Sequence, residues 1–287
     1  MKIGVIGLGK LGLPISIAID NKGHDVIGYD INPNITEDKK PKDIFSTLEC
    51  DETGENTLKS MIDKSNVKFT KNLNYLILNS DIIFVAVQTP HDKLYEGSTR
   101  IPTTRKDFNY DYLVSSIKNI SNELEIIKKE KIVTVISTVL PTTIRNYIIP
   151  VMSKYIKLCY NPFFIAMGTT VRDFYYPEFI LLGVVDENAK NTVCEFYKTI
   201  TTSKVYTTTL ENAELIKVCY NTMISTKVSF VNTIMEMCDK LPNTNVDQVT
   251  DALKLSDKRL ISPAYMTGGM GDGGGCHPRD NIALSWL

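Results

Sequence analysis

Short runs of aliphatic and β-branched residues recur along the chain up to residue 208, and they are separated by longer polar and helical segments. The runs have the length and composition of buried strands, and a helical pattern such as "YDYLVSSIKNISNEL" lies between several of them. Strands that alternate with helices are typical of a doubly wound parallel sheet. The predicted strands are 2–7, 25–30, 81–87, 131–138, 155–161, 179–185 and 204–208.

The pattern changes to a single long helical segment from about Asn212, which Pro242 closes. Thr208 and Glu211 have the spacing of a capping box at its start, and a shorter helix is predicted at 245–255. We therefore expect an α/β fold: a Rossmann-type sheet domain over 1–208, followed over 209–287 by an α-helical central domain with one long helix.

Composition limits the partners and the location. In the 287 residues, 32 Lys and Arg balance 33 Asp and Glu, so no charge excess favours nucleic acid or a membrane surface as partner. No apolar run is long enough to span a bilayer. The N-terminus lacks the cleavage site of a signal peptide, so we expect a cytoplasmic protein. The six cysteines form no CxxC pair and the three histidines have no ligand spacing, so we expect no metal site.

A glycine motif follows the first predicted strand. Gly7, Gly9 and Gly12 form G-x-G-x-x-G between a strand and an apolar helix, and Asp30 ends the next strand. This context is the dinucleotide-binding fingerprint. The glycines allow a tight turn, close approach of a pyrophosphate and close helix packing. An acidic residue at Asp30 suits a ribose hydroxyl and repels a 2′-phosphate, so NAD is favoured over NADP. A glycine turn that binds no dinucleotide is the alternative.

Two of the predicted strands end in polar residues. Thr89 follows "FVAVQ", and Ser137 and Thr138 follow "VTVI". Ligands of doubly wound sheets bind beyond the carboxyl ends of the strands, which makes these residues site candidates. The alternative is that threonine and proline simply terminate the strands.

Lys217 and Asn221 lie four residues apart on the long helix, so both point to one face. Most of their neighbours on that face are apolar or small. The pair is either part of a solvated stripe or a polar element of a site.

Cys276 follows a run of glycines, and Asp280 lies four residues later. Pro278 suits the first turn of a helix, which places Asp280 near the start of that helix. A cysteine at a helix N-terminus, beside Arg279 and within reach of Lys217, would favour the thiolate form. Glycines would let a substrate approach the backbone closely. An unreactive thiol on a flexible loop is the alternative.

Together these stretches resemble the NAD-dependent nucleotide-sugar dehydrogenases, of which UDP-glucose 6-dehydrogenase is the best-known member. The matching segments run through the whole chain. They are "IGLGKLGLP", "YD" at Asp30, "VAVQTP", "ISTVLPTT", "YNPFFIAMGTTVRDFYYPEFILLG", "ENAELIKVCYN" and "GGMGDGGGCHPRDNIAL".

The resemblance implies a reaction: oxidation of the C6 alcohol of a UDP-sugar to the uronic acid in two hydride transfers. Cys276 would form a thiohemiacetal and then a thioester, which water hydrolyses. Lys217 and Asn221 would hold the C6 oxygen, and the lysine would stabilise oxyanion charge. Asp280 would orient Lys217 and water, and Thr138 would support a catalytic water.

The resemblance also implies binding residues. The implied NAD-binding residues are Gly7, Leu8, Gly9, Leu11, Gly12, Asp30, Thr89, Thr138 and Arg279. The implied substrate-binding residues are Phe164, Ile165, Lys217, Asn221, Arg259, Tyr265 and Gly273.

The chain departs from the family pattern in three places. Phe163 stands where many members carry a glutamate that assists thioester hydrolysis, and Met167 stands at a second acidic position. Asp272 replaces an aromatic residue of the glycine loop. Family members also continue into a further nucleotide-sugar-binding domain, which the 287 residues lack.

These departures leave two alternatives to a UDP-sugar dehydrogenase. One is a half-protein or pseudoenzyme that binds NAD and needs a separate nucleotide-sugar-binding domain as partner. The other is a single-step hydroxyacid dehydrogenase, which would use no cysteine. The family also implies a homodimer formed through the long helix.

Overall fold

A computed structural model of the chain describes residues 1–32, 49–95, 97, 100, 102–257, 269, 271 and 274–284. The chain forms two compact units. The first consists of Met1–Thr89 and Tyr110–Leu215, and the second of Pro90–Asn109 and Ile216–Leu287.

The strands of the first unit form one sheet of eight strands in the order β3-β2-β1-β4-β5-β6-β7-β8. Every neighbouring pair is parallel except β6 with β7. The strands are β1 (Lys2–Ile6), β2 (Asp25–Tyr29), β3 (Lys68–Thr70), β4 (Ile82–Val85), β5 (Lys131–Val135), β6 (Ile156–Tyr160), β7 (Ile180–Val184) and β8 (Val205–Thr208).

Helices connect most of these strands and continue into the second unit. They are α1 (Gly12–Asn21), α2 (Leu58–Lys64), α3 (Leu73–Leu78), α4 (Asp111–Ile127), α5 (Thr170–Tyr175), α6 (Glu187–Ile200), α7 (Leu210–Lys240), α8 (Val246–Lys254) and α9 (Cys276–Leu284). Short 3-10 turns occupy Lys93–Tyr95 and Ile149–Val151, and a π-helical turn occupies Ile144–Ile148.

The predicted fold class is confirmed, with two differences in the sheet. β3 was not predicted, because three residues at the end of a polar segment carry no measurable period. β6 and β7 are antiparallel, so the sheet is not wholly parallel. The connection between them holds only the six-residue α5, which reverses the chain instead of carrying it back along the sheet.

β1 and β4, in the middle of the sheet, consist of nearly continuous apolar residues. Every residue of β4 is buried, and so are Ile3 and Val5 of β1. Helices cover both faces of such a sheet, so neither face needs polar residues. No helix within the described residues is long and apolar enough to cross a membrane.

The long helix α7 begins one residue later than the predicted capping box requires. The backbone N–H of Asn212 donates to Oγ1 of Thr209 at 3.3 Å, which makes Thr209 the N-cap. The carboxylate of Glu211 does not accept the backbone N–H of the N-cap residue, because it pairs with Arg145. The predicted box of Thr208 and Glu211 is therefore wrong.

Candidate active site

The glycine motif forms the turn between β1 and α1, and two of its glycines are required by packing. Gly7 has φ +91°, and a Cβ on it would lie 2.8 Å from the carbonyl oxygen of Ala86. A Cβ on Gly12 would lie 1.9 Å from the carbonyl oxygen of Gly7. Gly9 has open space where its Cβ would be, so a ligand can approach the backbone there. Gly7 and Gly12 thus meet the turn and packing requirements of the fingerprint, and the approach of a pyrophosphate at Gly9 stays a prediction.

Asp30 is bound to the same turn. Its carboxylate accepts the backbone N–H of Leu8 at 2.7 Å and that of Asn32 at 2.8 Å. These bonds fix the carboxylate just beyond the end of β2, beside the glycine turn. Asp30 remains half-buried, so it can also accept a hydrogen bond from a ligand hydroxyl.

A cavity of about 270 Å³ opens over this turn in the first unit. Gly7, Gly9 and Asp30 line it, whereas Leu8, Leu11, Gly12, Thr89 and Thr138 do not. An open glycine backbone at a helix N-terminus, next to an acidic residue, fits the pyrophosphate and ribose of NAD. The backbone N–H of Leu8 contacts Asp30, whereas the Leu8 side chain is buried.

Sequence reasoning missed the far wall of the cavity, which Gln88 and one face of α4 form. Tyr112, Ser116 and Asn119 of α4 line this wall. Their spacing of four and three residues was the available signal, since it places three polar or amphipathic side chains on one helix face. Nothing in the chain order indicated which face meets the cavity.

Thr89 and Thr138 follow β4 and β5, and the structure brings them together. Oγ1 of Thr89 donates to the carbonyl oxygen of Thr138 at 2.7 Å. The Ser137 hydroxyl donates to the carbonyl oxygen of Val87 at 2.6 Å. Thr89 is buried, whereas Thr138 is half-buried, so Thr138 is the more accessible residue of the two.

The second unit holds a buried polar cluster. Lys217 and Asn221 lie one turn apart on α7, with Nζ of Lys217 at 3.4 Å from Oδ1 of Asn221. Nδ2 of Asn221 donates to Oδ2 of Asp280 on α9. Lys217 is 7 % exposed, Asn221 4 % and Asp280 0 %. The pair on α7 is therefore buried and not a solvated stripe, and its role in a site stays a prediction.

Burial and neighbouring charges both shift the pKa of Lys217, and burial has the largest effect. Desolvation lowers the pKa of its ammonium group, while Asp280 and Cys276 raise that pKa and Arg279 lowers it. The lowered pKa means that this lysine gives up its proton more readily than a surface lysine does.

Cys276 is the first residue of α9 and is exposed. Asp280 follows one turn later on the same helix, and Gly274 before the cysteine has φ +103°. The sulfur is thus exposed at the start of a helix, and its role as a nucleophile stays a prediction.

Arg279 contacts Asp280 and Phe108 in the second unit. Its Nε donates to Oδ1 of Asp280 at 3.0 Å, and the guanidinium lies 5.1 Å from the ring centroid of Phe108. The arginine thus balances the charge of Asp280. Its contact with the cofactor stays a prediction.

The loop after β6 carries Phe164 and Ile165. The Phe164 ring lies 4.7 Å from that of Phe179, and the half-buried Phe163 packs against Phe174 at 5.7 Å. Both rings and Ile165 line a small cavity of about 20 Å³ in the first unit. Phe163 therefore belongs to an aromatic cluster. Arg259, Tyr265, Asp272 and Gly273 lie outside the described residues.

Family models match nearly the whole chain. The NAD binding domain of the UDP-glucose/GDP-mannose dehydrogenase family matches residues 1–201, and the central domain of the same family matches residues 211–287. The chain belongs to this family. Its predicted resemblance and its predicted cofactor, NAD, are confirmed.

Individual relatives agree with the family match. The UDP-glucose 6-dehydrogenase of Rickettsia conorii is 30 % identical over 289 residues, which cover 100 % of this chain and 62 % of the relative. The structure of a UDP-glucose dehydrogenase from Pyrobaculum islandicum has a TM-score of 0.82 at 24 % identity, covering 99 % of this chain and 62 % of that one. The structure of a GDP-mannose dehydrogenase from Pseudomonas aeruginosa has a TM-score of 0.77 at 24 % identity, covering 94 % of this chain and 60 % of that one. The chain spans about three fifths of the length of these relatives.

Proposed function

We propose that the chain catalyses the NAD-dependent oxidation of the C6 alcohol of a UDP-sugar to the uronic acid, in two steps and through a covalent bond to Cys276. The observation that carries the proposal is the buried cluster of Lys217, Asn221 and Asp280, with Cys276 one turn before Asp280 on α9. A single-step alcohol oxidation needs a lysine and an amide but no cysteine.

The first oxidation needs a group that takes the alcohol proton and groups that hold the oxygen. Lys217, with its lowered pKa, exchanges this proton at the C6 oxygen, and the amide of Asn221 orients the same oxygen. NAD, when bound, supplies the hydride acceptor for both oxidations. Asp280 and Asn221 keep the lysine in place, because the amide links the carboxylate to the ammonium group.

The second oxidation proceeds on the cysteine. The Cys276 thiolate attacks the aldehyde carbon, the C–S bond forms, and the carbonyl electron pair moves to the oxygen, where Lys217 stabilises the charge. The thiohemiacetal carbon then loses a hydride, which leaves a thioester. Water attacks this thioester, the C–S bond breaks, and the acid and the thiolate are released. Tethering keeps the aldehyde from escaping between the steps.

Hydrolysis in this chain depends on residues other than Phe163. An apolar ring packed on Phe174 cannot carry a proton. We assign the water to Thr138, whose carbonyl is held by Thr89. Asp280, which is charge-balanced by Arg279, orients Lys217. Thioester hydrolysis is then the slowest chemical step.

We also propose that the chain forms a homodimer through α7. Met223, Phe230 and Met237 follow one another at intervals of seven residues and are 44 %, 59 % and 55 % exposed. A seven-residue interval puts these apolar side chains on one face of the helix, where a second copy of the helix can cover them.

The test measures NADH formed per UDP-glucose in a limiting-substrate assay, with GDP-mannose as the comparison sugar. The chain is assayed alone and with the C-terminal part of the R. conorii relative added as a separate chain. Two NADH per sugar are expected, and the product is the uronic acid. If no NADH forms with the chain alone or with the added C-terminal part, the proposal is rejected. Activity only in the presence of the C-terminal part supports the half-protein alternative.

The Cys276→Ala variant separates the two-step reaction from a single-step one. Aldehyde oxidation requires the sulfur, so this variant is expected to lose net uronic acid formation by at least about a thousandfold. Cys219→Ala is the matched control, since Cys219 is also exposed but lies on α7. A Cys276→Ala variant that keeps most of its activity indicates a single-step hydroxyacid dehydrogenase.

A further inference from the structure

Glu214 is a fully buried carboxylate of α7 that the proposed reaction does not use. Its exposed fraction is 0 %. Oε2 accepts the backbone N–H of Thr142 at 2.6 Å, and Oε1 accepts that of Ile144 at 2.7 Å. Each oxygen therefore holds one backbone donor of the segment that follows β5. Such charge-assisted bonds are stronger than neutral ones.

The backbone that Glu214 holds is strained. Thr142 has φ +75°, a left-handed conformation that β-branched residues rarely adopt. Asn146 is bound to it twice, through its N–H to the Thr142 carbonyl at 2.9 Å and through Nδ2 to Oγ1 at 3.1 Å. The π-helical turn Ile144–Ile148 begins two residues after Thr142. Strained backbone persists only where its surroundings hold it, and it concentrates at functional sites.

The other end of the same segment carries Thr138. The Thr138 carbonyl accepts the hydroxyl of Thr89 at 2.7 Å, and the N–H of Leu140 donates to the hydroxyl of Tyr110 at 3.3 Å. Residues 138–144 are thus bound at the start by two hydroxyls and at the end by the Glu214 carboxylate. A shift at either end moves Thr138, because only three residues separate Thr138 from Thr142.

We propose that Glu214 is a positioning residue, which holds the strained end of segment 138–144 and so sets the place of Thr138 for thioester hydrolysis. The inference rests on the proposed function, in which Thr138 supports the hydrolytic water. Glu214 acts through the backbone and touches no reacting atom.

The charged groups near Glu214 are consistent with this role. Glu211 and Arg145 pair with each other on the exposed side. Burial raises the pKa of Glu214 to about 7, against the two backbone N–H bonds and Arg145, which lower it, while Glu211 raises it further. A proton on Glu214 would replace one acceptor with a donor and release one of the two N–H groups.

Glu214→Gln tests the inference, because an amide keeps one acceptor oxygen and turns an NH₂ group toward the second N–H. Glu211→Gln is the matched control, one turn earlier on α7 and without contact to the segment's N–H groups. Glu214→Asp is the second variant, since it keeps both acceptor oxygens on a shorter arm. It replaces Glu214→Gln in every measurement if the glutamine variant does not fold.

Steady-state kinetics of the NAD-dependent reaction form the first readout. We expect kcat to fall about tenfold in Glu214→Gln, with KM for UDP-glucose within about twofold and a thioester that accumulates. Adding Glu214→Gln to Thr138→Val should then lower kcat no further, because both changes remove the same contribution. Multiplicative losses in the double variant, or an unchanged kcat, overturn the inference.

Hydrogen exchange and NMR separate failure of the inference from failure of the proposed function. The amides of Thr142 and Ile144 should exchange about tenfold faster in Glu214→Gln, and the Thr138 amide signal should shift, while the amides of β4 stay unchanged. If the unsubstituted chain forms no NADH, the proposed function fails. The exchange rates and the NMR spectra then still test whether Glu214 positions Thr138. An unshifted Thr138 signal, or faster exchange throughout the sheet, overturns it.

Discussion

The side-chain amide of Asn221 on α7 donates a hydrogen bond to the carboxylate of Asp280 on α9, 59 residues later in the chain. Both side chains are buried, so the bond forms without competing water. This contact is what unites the lysine and the cysteine helix in one cluster.

Asn221→Asp is expected to be strongly destabilising. It replaces the amide donor with a second buried carboxylate facing Asp280, and the free energy of unfolding should fall by about 3 kcal/mol at pH 7. Chemical denaturation measures the loss. Thr226→Asp, at an exposed position of the same helix, is the control and should change stability by less than about 1 kcal/mol. Equal losses in the two variants would contradict the importance of the contact.

Lys217→Met should stabilise the chain while abolishing oxidation. Desolvation lowers the pKa of Lys217 in the folded state, so the unfolded chain binds this proton more tightly. Stability therefore rises with pH between the lowered pKa and the ordinary lysine range, and falls as pH drops through that interval. Methionine should add about 1 kcal/mol at pH 7 and flatten this slope. Thermal unfolding at several pH values measures both, and a steeper slope in the variant would count against the buried ammonium.

Gly12→Ala and Gly9→Ala should differ sharply. A Cβ on Gly12 meets the Gly7 carbonyl oxygen at 1.9 Å, so Gly12→Ala should lose at least about 2 kcal/mol of stability together with NAD binding. A Cβ on Gly9 meets open space, so Gly9→Ala should stay folded. Its affinity for NAD should nevertheless fall at least about tenfold, because the Cβ occupies the space that the pyrophosphate needs. Denaturation and calorimetry with NAD measure the two effects. Unchanged NAD affinity in Gly9→Ala would place the pyrophosphate elsewhere.

Glu214 should make stability depend on pH around neutrality. The carboxyl has a pKa of about 7 in the folded chain against an ordinary value of 4.5, because burial disfavours its charge. The folded state therefore holds more protons between these values, and stability falls as pH rises from about 4.5 to about 7, by up to about 3 kcal/mol. Urea unfolding from pH 4.5 to 8 measures the slope. Glu214→Gln should remove it, whereas Glu211→Gln should retain it.

Phe230→Glu should disrupt the proposed dimer without unfolding the chain. Phe230 is 59 % exposed, so the carboxylate reaches water in the monomer but would be buried against the second copy. Analytical ultracentrifugation should show at least about a hundredfold weaker association. Ser229→Glu, exposed on a neighbouring face, is the control. A dimer unaffected by Phe230→Glu would move the interface away from this face.

The sequence predicted much of the sheet and the NAD cofactor. The glycine turn and Asp30 are local features, because a strand, a tight turn and a helix N-terminus follow one another within a few residues. The Cys276 and Asp280 pair is local too, since both lie within one turn of α9. Periodicity therefore sufficed for these features.

Other features depend on which segments meet in space. The backbone donors of Thr142 and Ile144 are more than sixty residues from Glu214. In the sequence, Glu214 is only one of several charges on a long helix. The sequence could not show whether Lys217 and Asn221 are solvated or buried, because the answer depends on where Asp280 lies in the folded chain.

What the sequence by itself determined is the order of elements, the cofactor turn and the types of residue available for the reaction, since these follow from short-range periodicity and backbone sterics. Only the tertiary structure decided that β6 and β7 run antiparallel, that Lys217 is buried and that Glu214 holds a strained threonine. Each of these depends on desolvation and on contacts between segments far apart in the chain, and no local pattern records such contacts.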